Sequence, residues 1–383
     1  MTPKNRRANA VSYLTMTALG MYLSAYQYAL ADMTREFALV AWGGGLLIAM
    51  HFAASLFIPP LSGELSDRIG RRPVLLCCFG LSVAGILCAA LSRNVWLLAL
   101  GALMTGGGNC TLESGISSLL AQTNPGRETR VMNLSQMFLC GGAVVSPLYG
   151  ALLGRVGLDW RAIYLTIVVL ALLCAALLAR TELPEAPPRE KGLYLGRVLR
   201  RPYYLLMFTA MLLYIGIEES AAFWAGSYAQ IAGGGRIGPW TLEALLLAGY
   251  WLGMGGARLA AACIPRRLGL VTVAGLVLAA GCFGAMLFLR TAWAFLLFYA
   301  FAGLALAPAW PQIMVEASRA GADVPNTAAG GVTAAGSAGG MLIPFLLGVV
   351  QDAAGLRASF ALLFCIVLLE IALLASSRTF RRS

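Results

Sequence analysis

The sequence predicts an all-α integral membrane protein with twelve transmembrane helices in two pseudo-symmetric six-helix halves. The first observation is composition: of 383 residues, 59% are hydrophobic and only 12% are charged. Soluble domains have about 45–50% apolar and about 25% charged residues. Twelve helices of about 20 residues would use roughly 240 residues, which leaves no room for a separate soluble domain. Disordered, collagen-like and disulfide-rich secreted proteins are excluded, as are most soluble enzymes.

The second observation is a series of long apolar runs with few charges, which predict the individual spans. The predicted spans are 8–31, 39–61, 74–92, 95–122, 131–154, 162–179, 203–230, 241–264, 270–289, 292–317, 328–351 and 358–377. A segment rich in proline and charge separates the sixth span from the seventh. This predicts an N-terminal half at 1–180 (the N-half), a cytoplasmic linker at 181–202 and a C-terminal half at 203–383 (the C-half).

The third observation is the distribution of positive charge between the two sides of the membrane. With the N-terminus placed inside, Lys and Arg number twenty on the inner side and seven on the outer side. This bias predicts that both termini face the cytoplasm, in a bacterial inner membrane. The net charge of +11 therefore indicates topology rather than nucleic-acid binding. The expected partners are the lipid bilayer and a small-molecule substrate, and the chain is expected to be a monomer.

Internal repetition supports the division into halves. Four glycines in and after the fifth span recur 198 residues later, in and after the eleventh span: Gly141, Gly142, Gly150 and Gly157 match Gly339, Gly340, Gly348 and Gly355. Two repeated halves related by an axis along the membrane normal are typical of transporters, whose substrate site lies between the repeats near the midplane.

Residues 63–75, between the second and third spans, read GELSDRIGRRPVL. This segment resembles the cytoplasmic-loop signature of the major facilitator superfamily. The resemblance implies that the loop is a cytoplasmic gate, with Gly63, Asp67, Arg68, Gly70 and Arg71 at the matching positions. An aspartate there can pair with an arginine and with the positive end of a neighbouring helix.

Ionisable side chains inside the predicted spans are the main functional candidates, because burying them in a membrane is costly. They are His51, Glu113, Glu218, Glu219, Arg258 and Glu370. Glu113, near Asn109 in a glycine-rich stretch, is the leading candidate for substrate or proton binding; a structural hydrogen bond is the alternative. Glu218 and Glu219 point about 100° apart on a helix, so one can face a cavity while the other pairs with Arg258.

Polar and aromatic residues in other spans are further candidates. Asn133 and Gln136 are three residues apart, on one helix face, and could bind substrate hydroxyls or join helices. Trp224 and Tyr228 could stack on a sugar ring or serve in packing. Trp310 and Gln312 stand beside Pro308 and Pro311, and a helix broken by proline near the midplane indicates a binding site. These two proline-flanked residues are also predicted to bind substrate.

Two strings refine the resemblance. GNCTLE at 108–113 and NLSQMF at 133–138 resemble the L-fucose–proton symporter branch of the superfamily. The resemblance implies that Glu113 handles substrate and protons and that Asn133 and Gln136 face the sugar cavity. The branch has an aspartate where this chain has Gln27. Either proton coupling has moved to other carboxylates, or the protein is a uniporter, or its substrate differs.

The predicted function is secondary transport, with proton-coupled uptake of a monosaccharide or similar polar solute by alternating access. The alternative is a proton-antiport exporter of drugs or metabolites with the same fold, since Gly141, Gly142, Pro147 and Gly150 loosely resemble an exporter signature. A membrane receptor that shares the fold but transports nothing is a third alternative, and it is disfavoured because it would need no ionisable groups inside the spans. The chain has one histidine and nine cysteines, all within apolar runs, so no catalytic site, metal site or cofactor is expected; the coupling ion would be H⁺ or Na⁺.

Overall fold

The computed structural model describes residues 3–183, 195–263, 268–321 and 325–377, and most of them are helical. The helices are α1 Pro3–Glu36, α2 Ala41–Ser55, α3 Ile58–Ile69, α4 Arg71–Ala90, α5 Val95–Thr123, α6 Glu128–Arg155, α7 Trp160–Ala179, α8 Leu195–Val198, α9 Pro202–Phe223, α10 Ala225–Ala229, α11 Leu242–Cys263, α12 Leu268–Met286, α13 Ala292–Leu306, α14 Ala309–Ala320, α15 Pro325–Ala354 and α16 Leu356–Ser376. The ranges 1–2, 184–194, 264–267, 322–324 and 378–383 lie outside the described residues.

Ten helical segments of the described chain are long and apolar enough to cross a membrane. The helix α1 and the pair α2–α3 occupy the first two of the twelve predicted positions. The structure therefore has the predicted twelve-helix architecture. A two-stranded antiparallel hairpin, β1 Arg236–Ile237 and β2 Trp240–Thr241, joins α10 to α11.

Three of the predicted spans are interrupted. The second breaks between α2 and α3, just before Pro59, and the tenth breaks between α13 and α14 at Pro308. Proline ends or kinks a helix because it lacks an N–H group and its ring clashes with the preceding turn. The seventh span breaks at Trp224, between α9 and α10, where the chain has no proline. The discontinuity expected beside Trp310 is therefore present.

The predicted gate loop is a different structure from the one expected. Most of it is helical: α3 continues to Ile69 and α4 begins at Arg71, so the connection is Gly70 alone. Gly70 has a φ of +90°, a conformation that costs glycine little because it has no Cβ. The connection is therefore shorter than the gap left between the second and third predicted spans, because α3 and α4 both continue into that gap as far as Gly70.

Repeated glycines bring equivalent helices together in the two halves. A side chain at Gly142 of α6 would collide with the Thr17 carbonyl of α1, and one at Gly339 of α15 would collide with the Leu212 carbonyl of α9. Spans 1 and 5 therefore pack as spans 7 and 11 do. A Cβ added at Gly141, the predicted counterpart of Gly339, would contact nothing. In packing, the counterpart of Gly339 is therefore Gly142, one residue away from the predicted match.

The halves meet along α2 with α15 and along α6 with α11. At the end of the bundle where α2 begins, the Asp352 carboxylate of α15 accepts hydrogen bonds from the backbone N–H groups of Ala41 (3.0 Å) and Trp42 (2.7 Å). Nearby, Gly45 of α2 packs directly on the backbone of Phe345. This end of the interface is therefore closed by contacts between the halves.

Candidate functional site

A buried arginine lies at the centre of the interface between the halves. Arg258 of α11 donates one hydrogen bond to Gln136 Oε1 of α6 (2.8 Å) and forms an ion pair with Glu218 Oε1 of α9 (3.3 Å). Gln136 in turn donates through Nε2 to Glu113 Oε1 of α5 (2.9 Å). We call Glu113, Gln136, Glu218 and Arg258 the Arg258 network. It connects side chains that are far apart in sequence and belong to four helices.

A second polar connection crosses the interface beside this network. Gln27 of α1 donates through Nε2 to Glu219 Oε2 of α9 (3.2 Å) and accepts from Trp251 Nε1 of α11 (2.9 Å). We call Gln27, Glu219 and Trp251 the Gln27 bridge. The adjacent glutamates thus have separate partners: Glu218 pairs with Arg258, and Glu219 binds Gln27. Both groups use residues on spans 7 and 8; the Arg258 network adds spans 4 and 5, and the Gln27 bridge adds span 1.

The two groups hold more negative than positive charge. They contain three carboxylates, Glu113, Glu218 and Glu219, and one guanidinium. The side chains of Glu218, Glu219 and Arg258 are buried, whereas Glu113 is partly exposed. A buried charge without a partner is very unfavourable, so such a group takes up or releases a proton instead. The arrangement can therefore hold protons, and of the three carboxylates Glu113 is the one that is partly exposed.

Two other predicted site residues lie on the helices that supply Glu113 and Gln136 to the Arg258 network. Asn109 is one helical turn before Glu113 on α5, and its Oδ1 accepts a 2.6 Å hydrogen bond from Ser82 of α4. Asn133 is buried on α6, one turn before Gln136. Both amides are thus on helices that supply the network. Their predicted roles in substrate binding stay predictions.

The predicted aromatic residues of the seventh span pack against other helices of the C-half. Trp224 donates through Nε1 to the Pro344 carbonyl of α15 (3.2 Å). The Tyr228 ring lies edge-on to Phe360 of α16, with centroids 4.5 Å apart. A stacking role on a sugar ring stays a prediction for both, and these contacts give each side chain a packing function.

The predicted residues of the tenth span belong to a separate group on α14. Gln312 donates to Glu316 Oε1 (3.4 Å), and Glu316 also accepts hydrogen bonds from Arg319 (2.6 Å) and Tyr203 (2.7 Å). Trp310 is partly buried beside the apolar core. The structure does not connect these residues to the Arg258 network by any hydrogen bond that it describes.

The predicted gate residues lie at the α3–α4 junction. Gly63, Asp67 and Arg68 are in α3, but their side chains lie outside the part that the structure describes. Arg71 donates to Gln122 Oε1 (2.9 Å) and Ser118 Oγ (3.3 Å) of α5. These bonds join helices of the same half. The gating role stays a prediction.

Sequence reasoning gave Trp251 only as a weaker candidate for stacking on a sugar ring, and it missed Asp352 as a contributor to the interface. Trp251 lies seven residues before Arg258 on α11, a spacing that places both on one helix face, and this spacing could have identified it. Asp352 follows the apolar run of α15, and no local signal shows that it reaches α2. Among the described residues, no group of three His, Cys, Asp or Glu side chains could hold a metal ion.

The family model of the Major Facilitator Superfamily matches residues 9–324. The chain belongs to this superfamily. It is therefore a multi-pass membrane transporter and not an enzyme. The human organic anion transporter MFSD10 has the same fold, with a TM-score of 0.70 and 19% identity over 97% of this chain and 100% of that one.

Two bacterial relatives match parts of the chain. The class E tetracycline resistance protein of Escherichia coli is 34% identical over 135 residues, which cover 34% of this chain and 33% of the relative. A probable sugar efflux transporter of Helicobacter acinonychis is 30% identical over 193 residues, 48% of each chain. The chain thus spans about a third to a half of these relatives' lengths. The finer likeness to the L-fucose symporter branch stays a prediction.

Proposed function

We propose that this protein is a proton-coupled antiporter that exports a small organic solute from the cytoplasm by alternating access. The observation that carries this proposal is the Arg258 network, in which Glu218 of the C-half pairs with Arg258 and Glu113 of the N-half is linked to the same arginine through Gln136. The orientation follows the positive-inside prediction, with both termini in the cytoplasm of a bacterial inner membrane. The end closed by Asp352 is then the outer one, and the solute enters from the cytoplasm.

Proton coupling follows from the charge balance at the interface. Glu218 is paired with Arg258, and the interface holds two more glutamates, Glu113 and Glu219. It would be costly for both of these to stay ionised at the interface, because an unpaired buried charge is strongly disfavoured. Protonation of Glu113 or Glu219 removes charge from the surface along which the halves must separate. The number of bound protons would therefore bias the equilibrium between closed and separated arrangements, as a ligand that prefers one state does.

The direction of transport rests on the relatives. One is named a tetracycline resistance protein and another a probable sugar efflux transporter, and both names fit removal of a solute from the cell. This chain also lacks the acid that the L-fucose symporter branch has in the first span. Gln27 stands there, its amide cannot titrate, and it donates to Glu219 and accepts from Trp251, which leaves proton binding to Glu113, Glu218 and Glu219.

Proton-coupled uptake of a monosaccharide is the second candidate. It is favoured by the likeness of residues 108–113 and 133–138 to the L-fucose symporter branch, and by the hydrogen bond between Gln136 and Glu113. In that arrangement an amide that can bind sugar hydroxyls touches a carboxylate that can carry the coupled proton. Both candidates share the proton site and differ in direction and solute.

One preparation distinguishes the two directions. Purified protein is reconstituted into liposomes, and labelled tetracycline and a labelled monosaccharide are supplied outside under opposite pH gradients. An antiporter accumulates its solute when the lumen is the acidic side, since protons leave as solute enters. A symporter accumulates it when the outside is acidic. Accumulation independent of either gradient would contradict proton coupling.

Two variants test the residues. Glu113→Gln keeps the shape of the side chain but cannot titrate, and gradient-driven accumulation is expected to fall at least 10-fold. Glu128→Gln is the matched control, because Glu128 is an exposed residue at the start of α6 and should leave transport unchanged. Equal transport by wild type and Glu113→Gln would remove Glu113 from the coupling mechanism.

A further inference from the structure

A cluster of aromatic side chains lies beside the Gln27 bridge. Its members come from α1, α2, α7 and α9: Tyr22, Tyr26, His51, Phe52, Tyr164 and Phe223. We call it the aromatic cluster. Ring centroids are 5.3 Å apart for Tyr26 and His51 and 5.2 Å apart for Tyr26 and Phe223. Because Phe223 comes from the C-half and the others from the N-half, the cluster crosses the interface on which alternating access depends.

Three polar atoms in this cluster lack partners among the residues that the structure describes. They are the hydroxyl groups of Tyr26 and Tyr164 and the Nδ1 atom of His51. The side chains are only 1%, 0% and 3% exposed, respectively. Buried polar atoms almost always have a hydrogen-bond partner, and each exception calls for a physical reason. Three exceptions within one set of touching rings indicate a site where another molecule supplies the partners.

The unpartnered atoms specify part of the chemistry of that molecule. Nδ1 is the His51 ring nitrogen without a partner among the described residues. In a neutral imidazole one nitrogen donates and the other accepts, so Nδ1 can bind a hydroxyl group whichever nitrogen carries the proton. The two phenols can also donate or accept.

Tyr22 differs from these three residues although it touches them. Its hydroxyl is 2.6 Å from Thr105 Oγ1 of α5, so its hydrogen bond is made within the protein. The ring helps to form the cluster wall, and its polar atom needs no added partner. Tyr22 is therefore the structural counterpart against which the other residues can be tested.

We propose that the aromatic cluster is a subsite for an uncharged ring that carries hydroxyl groups. A hydroxyl both donates and accepts, so it satisfies His51 and the phenols together. The rings of the cluster provide flat apolar faces for a planar aromatic ring or for the apolar face of a sugar. No ionised side chain belongs to the cluster, so the bound part is neutral. That this ring belongs to the transported solute rests on the proposed function.

Binding to purified protein in detergent tests the subsite without transport. Thermal unfolding is followed with umbelliferone, a hydroxylated planar ring, with coumarin, the same ring system without the hydroxyl, and with D-xylose as a saturated polyhydroxyl ring. A ligand that binds the folded state raises Tm. Umbelliferone or D-xylose is expected to raise Tm, and coumarin is not. If coumarin acts as strongly as umbelliferone, or if neither hydroxylated ring acts, the proposal fails.

Variants separate ligand binding from folding. Tyr26→Phe, Tyr164→Phe and His51→Phe are each expected to weaken binding about 3- to 10-fold, the loss of one hydrogen bond. Without ligand, the two Tyr→Phe variants should unfold at the same temperature as wild type or higher, because they remove polar atoms that the protein leaves unpaired. Tyr22→Phe should lower Tm, because it breaks the bond to Thr105.

The variants can also overturn the proposal. A lower Tm of ligand-free Tyr26→Phe and Tyr164→Phe would show that these hydroxyls are satisfied inside the protein. Unchanged affinity in all three variants would place the hydroxylated ring elsewhere. If binding follows the expected pattern but liposomes show no proton-driven transport, the subsite stands and the proposed function fails. If liposomes show proton-driven transport but the variants bind the ring as wild type does, the proposed function stands and the subsite fails.

Discussion

The two halves contribute different chemistry to the interface that they share. From the C-half, α9 and α11 bring the ions Glu218, Glu219 and Arg258, whereas α1 and α6 of the N-half bring the neutral amides Gln27 and Gln136. Each of these amides binds an ion of the other half. Glu113 is the one carboxylate that the N-half adds.

This difference bears on how the halves can separate. The ion pair Arg258–Glu218 lies within the C-half, so rocking the halves apart leaves it intact. What must break are hydrogen bonds between amides and ions, Gln136 with Arg258 and Gln27 with Glu219. Breaking a buried ion pair costs about 3–5 kcal/mol, whereas a hydrogen bond to a charged group is worth about 1.5–3 kcal/mol. Because the partners contributed by the N-half are neutral amides, the contacts between the halves can break and form again at a lower cost than an ion pair could.

The largest effect is expected when the ion pair within the C-half is broken. Arg258→Met leaves Glu218 without its cation and should reduce the free energy of unfolding by about 3–5 kcal/mol. The double variant Arg258→Met/Glu218→Gln should recover most of this loss, because the unpaired charge is gone. Unfolding in detergent measures both. Equal instability of the single and double variants would contradict the pairing.

A smaller effect is expected for the amide that joins the halves. Gln136→Leu removes a 2.8 Å bond to Arg258, and stability should fall by about 1.5–3 kcal/mol. Spin labels at Asn94 and Arg290, in exposed turns of the two halves, should report a broader distance distribution.

Gln122→Leu is the matched control for this prediction. It removes a comparable 2.9 Å bond to Arg71, but that bond lies within the N-half. If Gln122→Leu broadened the distance between the two labels as much as Gln136→Leu, the distinction between bonds within and across the halves would be wrong.

The contact at the closed end is expected to matter less for stability and more for conformation. Asp352→Asn keeps the shape of the side chain but removes the negative charge at the N-terminus of α2, where a carboxylate is worth about 0.3–1 kcal/mol. The spin-labelled pair Asn94 and Arg290 should then show a larger population at long distance, by up to about 5-fold. An unchanged distribution would show that Gly45 and its neighbours close this end without Asp352.

The smallest effect is expected at the rim. Arg161 of α7 binds Glu36 (2.6 Å), the last residue of α1, and this hydrogen bond lowers the pKa of the Glu36 carboxyl. A lowered pKa in the folded state contributes stability above the ordinary pKa of glutamate, and this contribution is lost as the pH falls through the folded-state pKa. Because the pair is largely exposed, it is worth at most about 0.5 kcal/mol.

Thermal unfolding of Glu36→Gln and wild type checks this sign. The variant should be slightly less stable at neutral pH, and the two proteins should converge at a pH well below the ordinary pKa of glutamate. A stability advantage of wild type that grew on acidification would mean that folding raises the pKa of Glu36 instead of lowering it.

Local signals were sufficient for the helices and for the identity of the candidate residues. Runs such as 162–179 and 358–377 predicted α7 and α16 within a few residues, because a transmembrane helix satisfies its own backbone hydrogen bonds and needs only apolar side chains. Pro308 predicted the break before α14. The gap between the second and third predicted spans was too long, since hydropathy does not show that α3 and α4 continue through it as far as Gly70.

The sequence by itself determined the membrane fold, its repeat and the few ionisable residues placed inside it, because each of these follows from hydropathy and spacing along one chain. Only the tertiary structure decided which of them meet. Glu218 and Glu219 are neighbours in sequence, yet one binds Arg258 and the other Gln27, 192 positions away. Such pairings depend on how helices from the two halves pack, and the spacing of residues within a helix carries no record of that packing.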